Sequence, residues 1–458
     1  MNNVRTTSIL TTLHALVDAL CACCVFMVEP GMPFAQAMAM FVVYNALAFV
    51  TQPLIGAVLD RMPSHPRQLV LATTLLVSGG VLCVLHTGLT PFIMVTLIGL
   101  GNSLFHVYGG RQVTLSTGND LRHLGIFVSS GALGLAIGGQ WSSTQLLIGI
   151  MTALLLLTAY YCHALKLEHL KPETLKPLKP ETLKPASELA RVEQSGTTLL
   201  KPLKPETLKP EILLKPAPSL LFAFIVLLVF FRSFLGSLIP AEAGQGIVAF
   251  GMLMTLLAVV GKATGGFIAL RLGLWRTLTT VLLGACICFL LGYYHGVWLL
   301  AMVLLVNCSM PLTLHLANAL QPRHEGFAFG MLAAVLAPGV GLAKLCVDNP
   351  LAYTLLYPLL ATIVIEALVL LAWRERRWQV LSMSVIMNVL TNVPLNLLVL
   401  FCLPVLSIPM ILVLEGAVIL IETLLYLPVT HQFRQAFTYS LSCNVISYLL
   451  GLGFEVLI

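Results

Sequence analysis

The stretch Leu121–Gly139, LRHLGIFVSSGALGLAIGG, governs the reading of this chain because it occurs a second time, as Pro322–Gly341, PRHEGFAFGMLAAVLAPGVG. Arg122-His123-x-Gly125 aligns with Arg323-His324-x-Gly326, and Gly138 with Gly339; each pair is offset by 201 residues (323 − 122 = 201; 339 − 138 = 201). In both copies a short basic loop enters a glycine-rich apolar helix. A period of about 200 residues is too long for a solenoid unit. It implies two similar membrane halves with a site between them. Chance similarity of two glycine-rich helices is the alternative, and the layout of the remaining chain argues against it.

Of the 458 residues, 58% are hydrophobic and 10% charged, where soluble chains carry about 25% charge. The chain is therefore a polytopic membrane protein. Its net charge of +6 is no evidence for nucleic acid, since basic residues orient membrane loops. Most of the eleven cysteines, Cys21, Cys23, Cys24, Cys286 and Cys288 among them, lie in apolar runs and read as buried hydrophobes. Met1–Arg5 leads into an apolar run without a small-residue cleavage site, which predicts a retained first helix.

A helix needs about 20 apolar residues to cross a bilayer. Spans are predicted near 7–28, 35–58, 69–88, 90–112, 122–140 and 144–163, then near 219–241, 246–270, 277–294, 297–318, 326–347 and 353–372. Three more follow near 380–403, 407–428 and 435–457. The expected fold is all-α: a six-helix half (1–163), a linker (164–218), a second pseudo-symmetric six-helix half (219–373) and an additional three-helix membrane domain (374–458).

With the N-terminus in the cytoplasm, Arg61, Arg67, Arg122, the linker lysines, Arg271, Arg276, Arg323, Arg374, Arg376, Arg377 and Arg434 all fall in cytoplasmic loops. The opposite loops, near Glu29, His86, Gln140, Glu242, His295 and Asp348, contain no Lys or Arg. This positive-inside pattern places the C-terminus outside. The linker repeats LKPETLKP at 170–177, 178–185 and 203–210. Lys and Pro at that density predict a disordered, extended cytoplasmic tether; a binding segment for anionic lipid or a partner is the alternative.

Gly56-Ala-Val-Leu-Asp60-Arg61, followed by Arg67, resembles the loop motif of the major facilitator superfamily. Gly266-Phe-Ile-Ala-Leu-Arg271-Leu-Gly273-Leu-Trp-Arg276 is a degraded second copy without the acid. The resemblance covers about residues 6–373 and implies a secondary transporter gated by this motif together with Arg122 and Arg323. His14-x-x-x-Asp18 and Phe105-His106-x-x-Gly109-x-Arg111 look like the fosmidomycin-resistance type of exporter, except that Tyr108 stands where an acid is expected. Antiport and efflux are what that narrower likeness implies.

In the superfamily, spans one, four, seven and ten line the cavity. Here they carry His14 and Asp18; Asn102, His106 and Arg111; Arg232; and Asn307 and His315. Lys262 on span eight is a further cavity candidate, while Lys344 lies near an interface and Glu366 on span twelve has no obvious partner. Charges in a bilayer are costly and mark function. His14 and Asp18 share a helix face. Asp18, with His106 or His14, is the expected proton-coupling site; a permanent Asp18–Arg111 pair is the structural alternative. Arg232 and Arg111 point to an anionic or amphipathic solute. His14, Asp18 and Cys21, with Cys308, Met310 and His315, leave a transition-metal cargo open.

The last three spans carry polar stripes: Asn388, Asn392 and Asn396; Glu415 and Glu422; Ser440, Asn444 and Ser447. In lipid these must face one another or the transporter, giving a hydrogen-bonded core with a structural role or a role in binding a protein partner; a second functional site, regulatory or enzymatic, is the alternative. No nucleophile–base–metal set argues for an enzyme, no ATP loop is present, and no cofactor is expected. The expected partners are the lipid bilayer, a small solute and protons, and the expected location is a bacterial inner membrane. A receptor or scaffold that kept the fold is the competing class.

Overall fold

The computed structural model describes residues 3–85, 90–170, 218–239, 249–292, 295–346, 350–375, 408–430 and 432–457, with positions 377, 380–381, 383–385, 387–388 and 391. The Lys/Pro-rich repeats and residues 392–407 lie outside the described residues. Among the described residues all regular structure is helical, and ten helices are long and apolar enough to cross a membrane. Side chains such as Phe34, Leu54, Leu156 and Leu424 are exposed, as expected of surface facing lipid rather than water.

The first group holds α1 (Asn3–Val28), α2 (Phe34–Asn45), α3 (Gln52–Asp60), α4 (Pro66–Leu85), α5 (Thr90–Thr117), α6 (Leu121–Gln140) and α7 (Thr144–Leu170). The second holds α8 (Pro218–Ser237), α9 (Phe250–Leu272), α10 (Leu274–Gly292), α11 (Gly296–Leu320), α12 (Glu325–Ala334), α13 (Leu336–Cys346) and α14 (Pro350–Ala372). Helical positions between Val380 and Thr391, then α15 (Ile408–Thr430) and α16 (Phe433–Leu457), close the chain.

Two predicted spans are broken, and proline explains both. Pro53 opens α3 after a π segment at Ala46–Val50; proline has no N–H to give the preceding turn. The Thr51 and Gln52 side chains take the Leu47 and Ala48 carbonyls at 2.6 and 2.7 Å. Pro338 likewise cannot satisfy the carbonyl four residues before it, and the helix breaks at Val335 between α12 and α13.

Glycine sets the closest helix approaches, as is common in membranes. On α6, a Cβ at Gly134 or Gly138 would overlap the carbonyl of Ala15 or Ala19 on α1. The repeated positions Gly125 and Gly326 do a different job. A Cβ at Gly125 would lie 2.7 Å from the Lys262 carbonyl on α9, and one at Gly326 would lie 3.1 Å from the Gly56 carbonyl on α3. Both copies of the repeat therefore join the first group to the second. These contacts sit at the end of the bundle that bears Arg61, Arg122, Arg271 and Arg323, called here the basic end. Gly134→Val is expected to overpack the α1–α6 seam at a cost of about 1–3 kcal/mol, read as a lower thermal midpoint of purified protein than wild type.

Candidate functional site

α1, α5 and α6 bring His14, Asp18, Asn102 and His106 together. His14 Nε2 lies 2.8 Å from His106 Nε2. Each Nε2 is 3.4 Å from an Asp18 oxygen, and Asn102 Nδ2 donates to Asp18 Oδ1 at 3.2 Å. The ligating atoms of His14, Asp18 and His106 all lie within 4.8 Å of one another. Gly131 on α6 leaves the necessary room, because a Cβ there would stand 2.5 Å from His14 Nε2.

The hydrogen-bond partners assign the protons. His14 Nδ1 faces the Phe127 carbonyl at 2.8 Å and His106 Nδ1 faces the Asn102 carbonyl at 2.9 Å. A carbonyl only accepts, so both Nδ1 atoms carry hydrogen. Two neutral rings would then set bare Nε2 lone pairs against each other. The 2.8 Å contact sets the two Nε2 atoms at hydrogen-bond distance, with the Asp18 carboxylate beside both. Asp18 and His106 keep 16% and 12% side-chain exposure, so the cluster remains reachable. Asn102 Oδ1 is buried with no hydrogen-bond partner among the described residues.

On the second group, Lys262 of α9 lies within electrostatic range of both Asp18 and Arg232. Arg232 of α8 is buried. Its Nη1 donates to Thr313 Oγ1 at 3.5 Å, and it borders an apolar cleft lined by Phe231, Leu235, Val306 and Ile363. No ion pair forms at Arg232 among the described residues. Asn307 instead donates to Val303 of its own helix at 2.8 Å.

Two expected cavity residues lie elsewhere. Arg111 does not meet Asp18. Its Nε is 3.1 Å from Asp60 Oδ1, and its Nη2 donates to the Met62 carbonyl at 3.3 Å. His315 lies at the basic end, donating from Nδ1 to the Asn119 carbonyl at 2.7 Å. The anticipated metal set of His14, Asp18 and Cys21 with Cys308, Met310 and His315 is thus not assembled: the cluster takes His106 as its third ligand.

The basic end is closed by a polar layer. Asp60 accepts from the Gly326 and Phe327 amides at 2.9 and 2.8 Å, so a carboxylate on α3 caps the N-terminus of α12. Asn318 donates to Thr114 Oγ1 and Asn119 Oδ1, each at 3.1 Å. Asn119 returns a bond to the His315 carbonyl at 3.0 Å. Above this layer Phe127 stacks on His14 at 4.6 Å and meets Phe329 at 6.3 Å, an aromatic floor beneath the histidines. Arg61, Arg67 and Arg323 are exposed around it, and Arg122 pairs with Asp120 at 2.8 Å.

The reading from sequence passed over Asp120, Asn119, Thr114 and Asn318. Asp120 carried a usable signal, an acid directly before an apolar helix. It caps α6, accepting from the Arg122 amide at 2.9 Å. In the extension, Asn388 donates to Glu366 at 2.6 Å, and Thr391 and Asn444 donate to Glu422 at 2.8 and 2.6 Å. Glu415 is half-buried, and Asn392 and Asn396 lie outside the described residues.

A membrane bundle of two helix groups around a buried His–Asp–His cluster, closed at one end, has the build of a solute transporter. The chain matches the family model of the Major Facilitator Superfamily over residues 8–343, and it belongs to that superfamily. No curated protein matches it. Among solved structures it resembles a variant of the Escherichia coli fucose:proton symporter, with a TM-score of 0.52 and 11% identity over 88% of this chain and 99% of that one. A bacterial homologue of the iron transporter ferroportin in an outward-facing state gives a TM-score of 0.45 and 14% identity over 86% and 98%.

Burial opposes the charge of Asp120, but hydrogen bonds from Arg122 and His123 outweigh it and hold the carboxyl well below the usual carboxylate range. A depressed folded value stabilises above the unfolded value of about 3.9 and fades only as pH falls through the folded one. Asp120→Ala is expected to cost about 1 kcal/mol equally at neutral and mildly acidic pH, seen in thermal melts, with the gap closing only in strong acid. Asp60→Asn is expected to raise the thiol-labelling rate of Thr114→Cys several-fold over the native-cysteine background, because the lock between α3 and α12 loses its charge.

Proposed function

We propose that this protein is a proton-coupled secondary transporter for a small organic anion or anionic amphiphile, working by alternating access between two six-helix halves. The observation that carries this is the 2.8 Å contact between His14 and His106 beside Asp18, with Lys262 of the second group within electrostatic range of both Asp18 and Arg232. A proton shared by the two rings would offset the Asp18 charge, and its release would leave that charge uncompensated; a solute carboxylate or phosphate on Lys262 and Arg232 would favour keeping it. Proton and anion then stabilise the same loaded state, and neither moves easily alone. The closed basic end is read as cytoplasmic from its arginines. Efflux or uptake both fit this cycle, in a bacterial inner membrane with the N-terminus inside.

A second reading rests on the three ligand atoms of His14, Asp18 and His106 lying within 4.8 Å: a transition-metal dication would displace the shared proton and become the cargo. Ligand-induced thermal stabilisation of purified protein separates the two. An organic anion should raise the midpoint, Arg232→Ala should abolish the rise, and Asp18→Asn should erase its pH dependence. A pH dependence unchanged in Asp18→Asn removes the proton from the mechanism. Stabilisation by metal alone, lost in His106→Ala, makes the cargo a metal ion.

A further inference from the structure

Polar or small residues recur at spacing four on α5: Asn102, His106, Gly110 and Thr114. They share one helix face and advance about 6 Å per step. His106 belongs to the central cluster, and Thr114 to the polar layer that closes the basic end. Gly110 stands one turn from each, so whatever occupies its side of α5 separates the two.

Two phenylalanine rings occupy it. A Cβ at Gly110 would overlap the Phe329 ring of α12, and one at Gly109 would stand 3.0 Å from the Phe127 ring of α6. Consecutive glycines on α5 thus seat one ring from each helix group. The rings lie 6.3 Å apart, tilted by 59°. Both are buried, in one apolar cluster with Leu13, Leu124, Leu314 and Leu332.

The rings and their seat are tied to the polar groups on either side. Toward the cluster, Phe127 stacks on His14 at 4.6 Å, and its carbonyl accepts from His14 Nδ1 at 2.8 Å. Toward the basic end, the Gly110 carbonyl accepts from Thr114 Oγ1 at 2.9 Å, and Thr114 Oγ1 accepts from Asn318 of α11 at 3.1 Å. Core packing accounts for the burial of the rings. It gives no reason for them to come from opposite groups and to meet between two polar layers. An apolar constriction in that position bars water and ions, because wetting it is unfavourable.

We propose that Phe127 and Phe329, seated on Gly109 and Gly110, form the plug that shuts the central cluster off from the basic end. Phe329 is its moving half. It rides on α12 of the second group while its seat is on α5 of the first, so parting of the groups at the basic end withdraws it. Phe127 and its seat stay together within the first group.

The full chain in lipid vesicles that present the basic end to the reagent tests this, with His106→Cys labelled by a membrane-impermeant methanethiosulfonate over the native-cysteine background. Phe329→Ala is expected to raise the labelling rate several-fold from the basic end and to leave it unchanged from the opposite end. Phe329→Leu, which keeps apolar bulk, should restore the slow rate. Gly110→Leu fills the seat and should raise the rate with the ring intact; it serves where Phe329→Ala does not fold. Phe327 is also on α12 but stacks on Phe222 of α8 at 6.1 Å, outside the plug, so Phe327→Ala should leave the rate alone. An unchanged rate in both Phe329→Ala and Gly110→Leu overturns the plug. So does an equal rise in Phe327→Ala, or an equal rise from both ends, either of which makes the rings ordinary packing. The readout is access rather than transport, so the outcome is independent of what the central site carries.

Discussion

One carboxylate joins the two halves of this molecule. Asp60 stands at the end of α3, accepts two amides at the start of α12 and takes Arg111 from α5. Its side chain is only 1% exposed, so a charge is buried where two amide donors and one guanidinium meet it. Around it, glycines at positions 56, 326 and 330 let the α3 and α12 backbones touch. Close approach and charge depend on each other: bulkier residues would hold the amides out of reach, and without the acid the α12 amides would be left unsatisfied.

The same economy of charge runs through the centre. Asp18 stands against two histidines, each ring fixed by a backbone carbonyl from a different helix. The histidines cannot turn without breaking those bonds, so the ring orientations are set by α5 and α6 rather than by side-chain choice. Phe127 forms part of this arrangement, since its carbonyl orients His14 while its ring stacks on it.

Much of this was legible in the chain, and the failures have physical causes. The repeat at Leu121 and Pro322 announced two similar membrane halves, and its recurring glycines, Gly125 and Gly326, lie at backbone approaches between the two groups. His14 and Asp18 at spacing four were bound to share a face. His106 was identifiable as an intramembrane imidazole, but its distance to His14 depends on how α1 and α5 cross, which no spacing reports. Arg111 and His315 were misplaced for a related reason. Helical spacing gives the face a residue occupies, not its depth, and a long guanidinium reaches about one turn along the axis. Asn119 and Asn318 were invisible because their partners lie 196 and 199 residues away. In the extension, the stripes showed which residues must meet in lipid but not which of them would pair.

The two proline breaks have a mechanical consequence. The π segment at Ala46–Val50 and the interruption at Val335 divide the α2–α3 and α12–α13 spans at comparable distances from the basic end, and the segments beyond them, α3 and α12, are the ones clasped by Asp60. Two stiff rods with facing joints behave as a pair of jointed levers. Bending at both joints moves the clasped tips together and leaves the upper shafts, α2 and α13, in register with their own groups. A load that would part the tips is therefore shared between the two joints and the Asp60–amide bonds.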